Sequence, residues 1–119
     1  MFEIGGQNIL LGGFHDHWSR NGSDNPSLLL AAMTHYHYDF ICLMDGTPAE
    51  ARVKECAEAY NPDTLIHLGC ERFFGWGHVV TVGSCTPCLP ADDPDFRSVL
   101  CRLTAESDFV ALAHPSYPG

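Results

Sequence analysis

Five places in the chain carry side chains able to hold a metal ion or move a proton, each at an end of an apolar run. His15 and His17 stand one residue apart in "GGFHDH". Asp45 closes "DFICLMD", Glu71 closes "TLIHLGCE", His78 opens "GHVVTVG" and His114 closes "DFVALAHP". Imidazole and carboxylate are ligands that suit zinc, manganese and iron. The H-x-H spacing fits a strand, where residues i and i+2 point the same way and can grip one ion. Each signal alone has a plainer reading: H-x-H is a weak motif, His114 before Pro115 can be a simple strand-end histidine, and Glu71 a solvated carboxylate. Chance is a poor account of all five tips together, and a metal centre is the better one.

These residues must be positioned by the elements around them. The run "NILLGGF" (8–14) reads as a strand feeding the His-Asp-His turn. Asn25-Pro26-Ser27 opens a helix, "PSLLLAAMTHYHY", with proline in its first turn. "DFICLMD" (39–45) is a continuous apolar run of strand length, suited to a strand covered on both faces. Gly46-Thr47-Pro48 breaks it and starts the helical pattern "PAEARVKECAEAY". "TLIHLGCE" (64–71) and "GHVVTVG" (77–83) are further strands, separated by "RFFGW". After a Cys/Pro-containing loop (84–91), "DDPDFRSVLCRLTAES" reads as a helix with an acidic first turn, and "DFVALAHP" (108–115) as the last strand. The order β-α-β-α-β-β-α-β predicts an α/β fold with a largely parallel sheet. In such folds active sites gather at the carboxyl ends of strands, where this reading places the polar tips.

Composition narrows the function. The 119 residues are one domain's worth, 45% hydrophobic and 18% charged, which reads as globular. Six Lys and Arg face 15 Asp and Glu, a net charge of −9. That argues against nonspecific binding to nucleic acid or an anionic membrane, but not against anionic substrates, because bound divalent cations reverse the local field. No apolar run approaches the roughly 18 residues of a membrane span. The opening "MFEIGGQNIL" lacks a secretory signal, so the six cysteines read as reduced, mostly buried thiols of a cytoplasmic protein.

The order "FHDH", "FICLMDG", "LGCE", "GHVVTVG" and "ALAHP" resembles the PHP domain (polymerase and histidinol phosphatase), across about residues 9–116. That superfamily of metal-dependent phosphoesterases has a distorted seven-stranded (β/α) barrel. The resemblance implies that His15 and His17 hold one metal, Glu71 bridges two, and His78 and His114 bind the second. It implies divalent zinc, manganese or iron, and hydrolysis of a small phosphorylated substrate or nucleotide. Glu71 and Asp45 are then the catalytic carboxylates, Asp45 orienting a ligand histidine. Asp24, in Ser23-Asp24, is the displaced counterpart of a ligand to a third metal. Arg20 and Arg72, the cations beside the proposed site, are candidate phosphate contacts or ordinary surface arginines.

Two departures matter. The family's Thr-Asp-His motif appears here as Met44-Asp45-Gly46, which removes a ligand of the third metal. Its closing Asp-x-His has no counterpart after His114, and a full barrel takes about 250 residues. Residues 1–119 therefore read as one PHP-like domain forming the N-terminal half of a barrel, from a longer protein or a truncated reading frame. Such a half leaves a sheet edge and apolar faces to pair with another chain or a second copy. Two other readings stand beside the enzyme: a non-catalytic PHP-like domain, and a metallohydrolase of amidohydrolase type.

Other signals carry less. Cys85-Thr86-Pro87-Cys88 lacks both the helix of a redox pair and the second C-x-x-C of a zinc site. His35 and His37 suit the end of the first helix. His67 reads as a packed strand histidine, while Phe73, Phe74 and Trp76 either wall the site or simply pack.

Overall fold

A computed structural model of the chain describes residues 1–18, 26–83 and 95–116. Its elements are β1 (Phe2–Ile4), β2 (Gln7–Ile9), β3 (Gly12–Asp16), α1 (Pro26–His35), β4 (Phe40–Leu43), α2 (Pro48–Tyr60), β5 (Leu65–Phe74), β6 (Gly77–Val82), α3 (Phe96–Glu106) and β7 (Phe109–Ala113). Together they form a mixed α/β fold with a curled half-barrel sheet. From β3 onward the order is the expected β-α-β-α-β-β-α-β.

Before β3 the expected strand over 8–14 divides in two. Gly5 and Gly6 both take positive φ, +59° and +78°, and make a two-residue turn that pairs β1 with β2 as a hairpin. Residues 8 and 9 belong to that hairpin, while β3 starts at Gly12 in the main sheet.

The main sheet has the strand order β3-β4-β5-β6-β7. Its first three strands are parallel, joined through α1 and α2, but β6 runs antiparallel to both β5 and β7. The sheet is thus mixed rather than largely parallel. Only Gly75 and Trp76 separate β5 from β6, and so short a connection permits only an antiparallel pair.

Side chains alternate across the strands and define two faces. Ile41 and Leu43 of β4 and Ile66 of β5 pack with Leu29, Met33, Val53 and Ala57 beneath α1 and α2. Val79 of β6 packs with Val99 and Leu103 beneath α3. Cys42, Met44, Val80, Val82 and Ala113 line the concave face. Burying each of the Val, Leu, Ile and Met side chains among them contributes about 1.5–3 kcal/mol.

Curvature brings the outer strands together. Four interstrand steps of about 4.8 Å would hold β3 and β7 about 19 Å apart in a flat sheet. Instead the rings of Phe14 and Phe109 lie 5.4 Å apart, and those of His15 and His114 5.7 Å. The irregular register of β3 against β4 between Gly13 and Asp16 adds local bending beside His15.

The helix ends follow capping chemistry. Helix α1 stops at His35, three residues before the expected run ends. The Tyr38 N–H bonds Met33 O at 2.8 Å, and His37 takes the left-handed conformation, φ +56°. Asp95 caps α3, accepting from the Arg97 and Ser98 N–H groups, so this carboxylate serves as a cap instead of lying in the first turn. The thiols are less buried than expected: Cys42 is buried, Cys70 intermediate, Cys56 and Cys101 exposed. Cys85 and Cys88 lie outside the described residues. Among the described residues no helix is long and apolar enough to cross a membrane.

Candidate metal centre

The five predicted ligands converge. His15 ends near the carboxyl terminus of β3, His17 follows that strand, His78 is the second residue of β6, and His114 follows β7. Glu71 lies inside β5, not at its end, because the strand continues into the hairpin with β6. It reaches the mouth of the half-barrel because β4 stops earlier, and its N–H donates to Met44 O at 2.8 Å.

The Glu71 side chain, 4% exposed, divides its two oxygens between two pairs of histidines. Oε2 lies 3.2 Å from His15 Nε2 and 2.9 Å from His17 Nε2. Oε1 lies 3.1 Å from both His78 Nδ1 and His114 Nε2. His15 Nε2 and His17 Nε2 are 3.0 Å apart. Two compact ligand groups result: His15, His17 and Glu71, and Glu71, His78 and His114. Burial pushes the Glu71 carboxyl up, but hydrogen bonds from His15 and His114, with the charge of His15 and His17, outweigh it and hold the carboxyl below its ordinary value.

The donor set fits a cation. His17 Nδ1 lies 2.6 Å from Asp45 Oδ1, a contact that assigns the Nδ1 proton to this bond. In the neutral ring Nε2 then carries the lone pair and faces the Glu71 oxygen at 2.9 Å. Two acceptors at that separation repel unless a proton or a cation stands between them. A tetrahedral zinc site with bonds of about 2.0–2.1 Å has ligand edges of about 3.3 Å, close to the separations in the first group. The buried His/Glu cluster could therefore hold a metal ion. Asp45 lies directly behind His17, the position from which a carboxylate could orient that imidazole toward an ion. His114 adds backbone evidence: it sits at φ +30° ahead of Pro115, and such strain persists where surrounding structure demands it.

Gly46 has a local reason. Its φ is +63°, a conformation that costs glycine less than any residue with a Cβ, so a histidine here would be strained. Beside it stands a residue that sequence reasoning missed. Glu50, fully buried, occupies the third position of α2 after the Thr47 cap, in the pattern of a capping box. Its Oε2 accepts from the N–H groups of Asp45 at 3.0 Å and Gly46 at 2.9 Å, fixing the turn that aims Asp45 at His17. Burial, then the Asp45 charge, raises its carboxyl above the ordinary value, against backbone N–H groups that include Trp18. The signal was present in "TPAE", but an Ala/Glu-rich helix disguised it as a surface residue.

The other expected residues fall elsewhere. Arg72 alternates with Glu71 in β5 and pairs with Val79, whose side chain packs under α3, so it belongs to the opposite face. His67 is exposed instead of packed, its ring 6.5 Å from that of Phe40. Asp16, between the two histidines, joins neither ligand group; burial raises its carboxyl despite His15 and His17. Arg20, Ser23 and Asp24 lie outside the described residues. In comparisons with family models, curated proteins and solved structures, nothing matches the chain.

Proposed function

We propose that this chain is a metal-dependent phosphoesterase of PHP type acting on a small phosphorylated substrate or nucleotide, with two divalent ions, zinc, manganese or iron. One observation carries the reading: the two oxygens of Glu71 each serve a separate histidine pair. A carboxylate so placed is suited to bridge two cations. Bound divalent ions supply Lewis-acid activation of water and neutralise charge on phosphate oxygens.

The protein's own residues have defined parts in that reaction. Asp45 keeps the Nδ1 proton of His17 in place, so that Nε2 presents its lone pair to an ion. Glu50 holds the Asp45 turn. His15, His78 and His114 complete the two groups, and Glu71 fixes the spacing between them. Asp24 and Arg20 are further contacts suggested by the resemblance alone. The cytoplasmic reading and pairing with a second copy or further barrel strands remain part of the same proposal.

The test is hydrolysis of phosphomonoesters and phosphodiesters by protein purified with manganese or zinc, beside His15→Ala and Glu71→Ala. Turnover by the native chain and its loss in both variants supports the reading. Metal uptake without turnover of either ester class favours a non-catalytic domain, a reading that Gly46 in place of the family's histidine also supports.

A further inference from the structure

A cavity of about 310 Å³ adjoins the second histidine pair. His78 and His114 form part of its wall, and the remaining described lining comes from the β5–β6 hairpin, the start of α3 and the end of β7. That lining is Phe74, Gly75, Trp76, Gly77, Phe96 and residues Leu112, Ala113 and Pro115, with no carboxylate and no lysine or arginine. Three aromatic rings are set against one another there. Phe74 and Trp76 stack with centroids 4.7 Å apart, and Phe96 meets Trp76 edge-on at 4.7 Å. At Gly75 an added Cβ would meet nothing within 4 Å, so a larger side chain fits at this edge of the cavity. The cavity therefore joins a ligating pair to three aromatic rings and to polar surface that includes the Trp76 Nε1–H, buried without a hydrogen-bond partner among the described residues.

We propose that this cavity is the subsite for the uncharged aromatic part of a phosphate monoester whose phosphate lies at the His78–His114 pair. The inference rests on the metal-centre reading above and adds the substrate class. With no lysine or arginine in the described lining, nothing there compensates the charge of a second phosphate. A planar ring gains edge and face contacts with the three aromatic side chains. Pockets of this kind bind through apolar area and use a few polar groups to orient the ligand. Two sources share this chemistry: an aryl group esterified directly to phosphate, and a nucleobase held by its sugar.

Calorimetric titration of the full chain loaded with zinc, its metal content measured in the same sample, separates the outcomes. The probes are phenyl phosphate against inorganic phosphate, and adenosine monophosphate against ribose 5-phosphate. The expected result is binding at least tenfold tighter for one aromatic ester than for its counterpart, the pair affected telling the two sources apart. Gly75→Leu, which adds bulk at the hairpin side of the cavity, should bring that ratio toward one; Phe96→Ala, on another wall, should also reduce it and serves if the first variant does not fold. Equal affinities within both pairs, in protein that holds metal, overturn the inference and leave the metal centre standing. A sample that takes up no metal overturns the metal reading and this inference with it.

Discussion

Phe14 and His15 are neighbours in β3, and the curl of the sheet gives each a ring partner in β7 or directly after it. Phe14 meets Phe109 at 5.4 Å, and His15 meets His114 at 5.7 Å. The same curvature thus makes two unlike regions. Toward the amino ends of the strands, Phe14, Phe40 and Phe109 form an aromatic cluster, still partly open to solvent. Toward the carboxyl ends, imidazoles surround a carboxylate that is almost wholly buried. Closure is a property of the backbone and serves both regions; side-chain type decides which one packs and which one binds. The polar region also has supporting residues, Asp45 behind His17 and Glu50 behind Asp45.

Substitution of the adjacent residues breaks this comparison most sharply. His15→Ala should weaken zinc binding by on the order of 100-fold or more, since it removes a ligand and not merely its support. Phe14→Ala should leave the metal affinity near wild type and cost about 1–3 kcal/mol of stability, the worth of two aromatic pairs. Competition with a chromogenic chelator and urea unfolding read the two effects. If Phe14→Ala lost the metal as His15→Ala does, the regions would not be separable.

A smaller effect belongs to the support behind the ligands. Asp45→Asn keeps an oxygen for His17 but removes its charge, and should weaken metal binding by about 10-fold to 100-fold. An unchanged chelator competition curve would deny Asp45 its orienting part.

The smallest effect concerns Glu50, and its sign follows from burial. Its carboxyl lies above the ordinary value of 4.5 in the folded chain, so folding favours the protonated form. That contribution to stability is fully present below pH 4.5 and is lost as pH rises through the raised folded value. Glu50→Gln keeps an acceptor for the Asp45 and Gly46 N–H groups and has no charge to bury. Its stability relative to wild type should therefore improve from pH 4 to pH 7 in urea unfolding. A variant that loses ground over that range would contradict the assignment.

Much of the site was legible because ligand chemistry depends on residue type, and His15, His17, Glu71, His78 and His114 all flank apolar runs. The fold was legible in its alternation of helices and strands, and Pro48 with Thr47 marked the start of α2. What was missed lay in short connections. Gly5-Gly6 signalled a hairpin turn, and Gly75-Trp76 is too short for a parallel crossover, yet both were overshadowed by the apolar patterns around them. Glu50 was hidden for a different reason. A glutamate inside a charged helical pattern looks solvated until tertiary packing turns it inward. The approach of β3 to β7 is a sum of twist and bending over five strands, and no local pattern records it.

Metal uptake with and without Glu71 tests the central claim most directly. Equilibrium dialysis of the purified chain against zinc, followed by elemental analysis, should show bound metal in the native protein and loss of it from both groups in Glu71→Ala, with the variant's folded state confirmed by circular dichroism. A folded Glu71→Ala protein that binds as much zinc as the native chain would contradict the account.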